Sequence, residues 1–124
     1  MTNEYEELKE VICLMQIERK VEREALTRAE VELVQRLANV NHYPRAEYVL
    51  ARMYLKGNGV EQDKTKALKY LVRSSRHASY DLQLKIAYIY HTIGECEKIK
   101  KCLERAIKDV DNCYNEFENN KNSN

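Results

Sequence analysis

The stretch MYLKGNGVEQDKTKAL, residues 53–68, contains the residue types from which phosphate-binding loops are built, with Gly57 and Gly59 followed by a lysine–threonine pair. A Walker loop needs a glycine directly before that lysine, because backbone N–H groups must wrap the phosphates. Asp63 occupies that position and would repel an anion. A dinucleotide fingerprint also fails, because Gln62 stands where the third glycine belongs. The sequence therefore predicts no nucleotide site here.

The cysteines form no pattern typical of a metal or catalytic site. Cys13, Cys96, Cys102 and Cys113 are separated by 83, 6 and 11 residues, and no C-x-x-C motif occurs. We expect free thiols, with Cys102 on a core position and Cys96 in a turn as the reactive one. No residues are predicted to be catalytic or to hold a metal or cofactor, so we do not expect an enzyme.

The length predicts a small protein, and the missing targeting and membrane-spanning patterns predict a cytoplasmic one. The 124 residues suit one domain, and the net charge of +1 gives no electrostatic argument for nucleic acid or for an anionic membrane. No apolar run approaches the roughly 18 residues of a spanning helix, and the N-terminus lacks a signal-peptide pattern. We expect a single helical-repeat domain over residues 1–117 and a flexible tail over 118–124, where asparagines accumulate.

Residues 4–40 have apolar side chains at helical spacing, interrupted by the charged run ERKVERE at 18–24. Either one long helix crosses this run or two helices meet near residue 26 and form a degenerate hairpin. Thr27 and Glu30 have the spacing of a capping box, which favours the break. The apolar positions are Leu8, Val11, Ile12, Met15, Leu26, Ala29, Leu33 and Leu37.

The rest of the chain predicts two further helix pairs, over residues 44–78 and 80–117. Pro44 suits a first helical turn, Gly57 a left-handed helix end, and Asp63 a cap for the following helix. An internal repeat of 36 residues relates the two pairs, which indicates a stacked helical array. The corresponding positions are Ala46, Leu50, Ala51 and Tyr54 in the first pair and Leu82, Ile86, Ala87 and Tyr90 in the second.

The first of these pairs resembles the Sel-one-like repeat, a relative of the tetratricopeptide repeat. Eleven positions are in register: Ala46, Leu50, Ala51, Tyr54, Gly57, Gly59, Val60, Asp63, Lys66, Ala67 and Tyr70. Ala51 replaces a glycine of the family pattern, and Tyr70 replaces a tryptophan. The resemblance covers about 35 residues strongly and the second pair weakly. It implies an all-α, short right-handed superhelix of about three antiparallel helix hairpins, and an adaptor or scaffold that binds proteins on its concave face.

In such an array the alanines at 46, 51, 67 and 87 are packing positions, and the first helix of each pair lines the inner curve. Tyr48 and Arg52 lie one turn apart and are residue types enriched at binding hot spots, and Leu84 with Tyr88 repeats this geometry. The predicted partner-binding residues are Glu47, Tyr48, Arg52, Lys56, Gln83, Leu84, Tyr88 and His91.

The predicted function is a non-catalytic protein–protein interaction module that binds a partner helix or extended peptide on the concave face. Two alternatives stay open at this point. The chain could be a small inhibitor or regulator of a larger complex, encoded by a mobile element. It could instead be a structural protein that forms a homodimer, because the helices of residues 4–40 have wide apolar stripes able to pair between chains.

Overall fold

The computed structural model describes residues 4–122, which form six α-helices and no strand: α1 Glu4–Lys20, α2 Arg28–Asn39, α3 Pro44–Lys56, α4 Lys64–His77, α5 Tyr80–Thr92 and α6 Cys96–Asn122. The all-α prediction is confirmed. Internal contacts group the chain into two compact units, Met1–Arg76 and His77–Asn124. The two units are described separately below.

The charged run after Lys20 ends the first helix, as the capping signal predicts. The Thr27 hydroxyl accepts a hydrogen bond from the Glu30 backbone N–H at 3.2 Å, and the Glu30 carboxylate accepts one from the Thr27 N–H at 3.0 Å. The Lys20 ammonium lies 3.0 Å from the same carboxylate and ties the end of α1 to the start of α2. Residues 4–40 therefore contain two helices.

The buried face of α1 differs from the stripe that the sequence suggests. Leu14 and Ile17 are buried, together with Val21 just beyond the helix, whereas Leu8, Ile12 and Met15 are largely exposed. Periodicity identifies an amphipathic helix, but it does not decide between two apolar stripes on neighbouring faces. The partners of α1 are α2 and α3, whose buried residues complete this core: Val34, Leu37, Ala38, Ala46, Val49, Leu50, Ala51 and Met53.

Two tyrosines at repeat positions join α3 to α4. The rings of Tyr54 and Tyr70 stack with their centroids 5.8 Å apart and their planes inclined by 9°. The Tyr70 hydroxyl donates to the Asn39 side-chain oxygen at 2.8 Å, and the buried Ser74 hydroxyl donates to the Pro44 carbonyl at 2.6 Å. These two hydrogen bonds give the Tyr70 and Ser74 hydroxyls partners where the helices pack against each other.

The glycine-rich stretch after α3 forms a turn, and its Asn58 side chain holds the α1–α2 connection in place. Gly57 ends α3 with φ +70°, and Gly59 has φ +79°. A Cβ on Gly59 would lie 2.3 Å from Val31 Cγ2, so the close approach of α2 also requires glycine. Between them, Asn58 accepts a hydrogen bond from the Leu26 N–H and donates to two carbonyl groups, those of Val21 and Glu24, at 2.8–3.0 Å.

In the second unit α5 and α6 pack against each other. The buried residues of this hairpin include Leu82, Ile86, Ala87, Tyr90, Cys102 and Ala106. Burial raises the pKa of the Tyr90 hydroxyl and of the Cys102 thiol, because both lose solvation of their charged forms. The core position predicted for Cys102 is confirmed.

The sixth helix is much longer than its partner. It has 27 residues against 13 in α5, which at 1.5 Å per residue is about 40 Å against about 20 Å. Residues 111–117 are exposed on every side, so the second half of α6 extends past α5. The helix also continues to Asn122, whereas the sequence predicts a tail from residue 118 onward.

Candidate protein-binding surfaces

The predicted Tyr48–Arg52 pair forms, but it contacts the chain's own first helix. Tyr48 is only 5% exposed, and the Arg52 guanidinium carbon lies 5.5 Å from its ring centroid. Arg52 also donates to the Glu18 carbonyl at 3.1 Å and to the Glu22 carboxylate at 3.3 Å. These bonds join α3 to the end of α1. The pair therefore holds the fold together instead of being offered to a partner.

Charged side chains extend this junction. Lys56 lies 2.9 Å from the Glu22 carboxylate, and Arg45 lies 3.3 Å from that of Glu18. Burial alone would raise the pKa of Glu22, but the hydrogen bonds and positive charges of Lys56 and Arg52 lower it below its ordinary value. Glu47 is buried as well. Of the four residues predicted on α3, Lys56 alone is well exposed, and it is ion-paired.

On α5 the four predicted residues divide into one buried and three exposed side chains. Gln83 is buried, and its amide donates to the Ala78 carbonyl at 3.4 Å. Leu84, Tyr88 and His91 are exposed and follow each other at intervals of four and three residues. These three share one face of α5, so this part of the predicted surface is accessible.

The largest exposed apolar row of the second unit lies on α6, where the sequence analysis placed no binding residue. Its five side chains are 40–63% exposed and follow each other at intervals of four, three, four and three residues. We call this row the α6 stripe: Leu103, Ile107, Val110, Tyr114 and Phe117. The spacing is visible in the sequence, but binding residues are predicted on the first helix of each pair, and α6 is the second helix of its pair.

Four acidic residues border the α6 stripe on one side. They recur every seven positions, and seven residues fall within about 20° of two full turns, so they form one row along the helix. We call this row the acidic edge: Glu97, Glu104, Asp111 and Glu118. Each is at least partly exposed. By the same geometry, a basic face lies on the side of α6 opposite the stripe, and it consists of Lys101, Arg105 and Lys108.

A second exposed apolar row lies on α1 in the other unit. We call Tyr5, Leu8, Ile12 and Met15 the α1 stripe; these side chains are 42–69% exposed. Their intervals of three, four and three residues match one side of a helix–helix contact. This is the apolar stripe on which the homodimer hypothesis depends, and it faces away from the buried side of α1.

Other sites offer little chemistry. A cleft of about 40 Å³ is far below the roughly 300 Å³ of a ligand pocket, and Arg36 and Glu10 form an ion pair there. Across residues 4–122 there is no group of three or more His, Cys, Asp or Glu side chains that could hold a metal ion, and no helix long and apolar enough to cross a bilayer. Cys96 is exposed, as predicted, but so is Cys113.

Comparison with protein-family models, with curated proteins and with solved structures found no match. The resemblance to the Sel-one-like repeat therefore stays a prediction drawn from the residues of α3 and α4.

Proposed function

We propose that this chain is a non-catalytic protein-interaction module of the Sel-one-like kind, with its hairpins arranged as a short superhelix and the α6 stripe as its main contact surface. The exposed stripe carries the proposal. If a fully exposed large side chain offers about 200 Å², the five side chains present on the order of 500 Å² of apolar surface in one row. The largest apolar patch on an ordinary monomer is about 300–600 Å² and is often functional.

The size of the stripe also sets the kind of binding. Burying on the order of 500 Å² of apolar surface contributes about 12 kcal/mol before the costs of association. Those costs amount to at least about 4 kcal/mol and often to most of the gain. A stripe that spans residues 103–117 on one helix suits a single partner helix or peptide. We therefore propose an adaptor with a modest interface, and a regulator of a larger complex would use the same surface.

Variant capture from the native cell tests this function. Ile107→Asp with Tyr114→Asp places two charges in the stripe, and we expect it to lose the proteins that the unmodified chain retains. Asn112→Asp with Asn119→Asp adds the same charges on the opposite face of α6 and serves as the control. Circular dichroism should show the same helix content for all three proteins. If the stripe variant and the control capture the same proteins equally well, the α6 stripe is not the contact surface.

Self-association is the second candidate, favoured by the α1 stripe. Two copies could bury this row against each other, because its four apolar side chains have the intervals of one side of a helix–helix contact. Light scattering after size exclusion would detect the dimer. We expect Leu8→Asp with Ile12→Asp to return it to a monomer, whereas the variant of Ile107 and Tyr114 should leave it dimeric. A monomer at all accessible concentrations would exclude this candidate.

A further inference from the structure

We infer that the occupant of the α6 stripe is an amphipathic helix of another protein whose apolar face is bordered by lysine or arginine. The inference rests on the proposed function and adds the chemistry of the partner. It is drawn from the distribution of charge around α6, from the side of the stripe that remains accessible, and from the pairing that a second copy would impose.

Charge is distributed unevenly around the helix. At 100° per residue, Glu104, Asp111 and Glu118 lie about 60–100° from the centre of the stripe, next to any chain bound there. Lys101 and Lys108 lie about 140–160° away and point elsewhere. Lys100 lies on the same side of the stripe as the acidic edge, about 60° from the centre of the stripe, and it stands 4.0 Å from Glu104 in an exposed i,i+4 pair, so one of the four acidic residues is partly offset. A bound helix thus meets negative charge along its flank, and positive side chains would complement it.

The opposite border of the stripe is closed over its first half. Cys102 and Ala106 lie there and are buried, since α5 packs on this side of α6. Along this half of the stripe, a partner helix must therefore approach from the acidic side. The stripe keeps its four-and-three spacing over about 21 Å, which is the spacing that another helix matches with its own apolar row.

A second copy of α6 is a poor occupant. In an antiparallel pair each acidic edge would face the acidic edge of the other copy, and like charges oppose that contact. In a parallel pair each acidic edge would face the opposite border of the stripe, which α5 already covers at Cys102 and Ala106. The arrangement thus favours a partner with opposite charge over a self-complementary pair.

Two synthetic helices provide the probe. Each has about three heptads with leucine along one face, and they differ only at the bordering positions, which are lysine in one and glutamate in the other. Their binding to the full chain is measured by fluorescence anisotropy. We expect the lysine-bordered helix to bind at least about tenfold more tightly, and the difference to shrink as added salt screens the charges.

Matched variants locate the preference. Asp111→Asn with Glu118→Gln removes two charges from the acidic edge, and we expect it to reduce the preference for the lysine-bordered helix several-fold. Asp109→Asn with Glu116→Gln removes the same charges from the other side of α6 and should leave the preference unchanged. Equal effects of the two variants would overturn the inference, because the preference would then follow net charge alone.

The remaining outcomes separate this inference from the proposed function. If both synthetic helices bind equally and Ile107→Asp with Tyr114→Asp abolishes both, the binding function stands and the basic border is wrong. If neither binds and light scattering shows a dimer that the same variant dissociates, a second copy is the occupant. If neither binds a monomeric chain, the inference also fails, and the capture experiment alone decides the function.

Discussion

Arg52 lies over the ring of Tyr48, one helical turn away on α3, and binds the end of α1 through the Glu18 carbonyl. A pair of residues with the composition of a binding hot spot thus forms an internal joint. Its position explains why α1 can leave an apolar row exposed: the helix is held by polar bonds at its C-terminal end and by Leu14 and Ile17 along its inner face.

Arg52→Ala should lower the free energy of unfolding by about 2 kcal/mol. The change removes a cation–π contact worth about 0.5–1 kcal/mol and leaves the Glu18 carbonyl without its charged donor. Urea denaturation followed by circular dichroism measures the loss. Lys66→Ala is the control, because Lys66 lies 5.6 Å from the Tyr54 ring but is exposed, so its loss should be under about 1 kcal/mol. Equal losses would contradict the role of Arg52 as a joint.

Asn58→Ala should cost about 2–3 kcal/mol, because the side chain makes three hydrogen bonds to the α1–α2 connection and each is worth about 1 kcal/mol. Asn58→Asp should be no better tolerated, since its carboxylate would face two carbonyl oxygens in place of the amide that donates to them. Urea midpoints of the two variants check this. A loss below about 0.5 kcal/mol for either variant would show that the connection holds without Asn58.

Acid should weaken the first unit. The Thr27 hydrogen bond and the Lys20 ion pair lower the pKa of Glu30 in the folded protein, and the pKa of Glu22 is lowered too. A lowered folded pKa gives stability that is fully present above the ordinary value of 4.5 and is lost as the pH falls through the folded value. We expect the urea midpoint to drop between about pH 6 and about pH 3.

The double variant Glu22→Gln with Glu30→Gln should flatten this part of the pH dependence while lowering stability at neutral pH. Glu61→Gln, on the exposed loop before α4, controls for the loss of one negative charge. If the urea midpoint falls as steeply with decreasing pH in the double variant as in the unmodified protein, other carboxylates cause the acid sensitivity.

Alkylation of the native protein should label Cys96 and Cys113 at least about tenfold faster than Cys102. The first two thiols are exposed, whereas Cys102 is buried and its pKa is raised, which reduces the reactive thiolate. Mass spectrometry of timed iodoacetamide reactions resolves the three sites. In guanidinium chloride the rates should converge, and a native Cys102 that reacts as fast as Cys96 would contradict the packing of α5 on α6.

Local signals in the sequence predicted local structure well. The capping box at Thr27, the helix start at Pro44 and the left-handed end at Gly57 all depend on interactions within a few residues, and each is present. The buried alanines at 46, 51, 67 and 87 were also predicted, because the 36-residue repeat identifies positions that small side chains must occupy.

What the sequence could not decide was which of two candidate faces a neighbour covers. Tyr48 and Gln83 were expected at an accessible surface and are buried, while Leu8 and Ile12 are exposed. Burial depends on the docking of α1 along α3 and on contacts that are distant in the chain, and periodicity contains no information about that docking. The α6 stripe was missed for a different reason: binding residues are expected on the first helix of each pair, and α6 is the second helix of its pair.

Because α6 extends beyond α5, hydrogen exchange along this helix can show whether a partner is bound to it. Its distal turns have helical hydrogen bonds without tertiary packing, and short unsupported helices open readily in water. Backbone amides should therefore exchange with deuterium slowly near Cys102 and progressively faster toward Phe117. A bound chain would slow the fast end of this gradient, so the contact could be located before the identity of the partner is established.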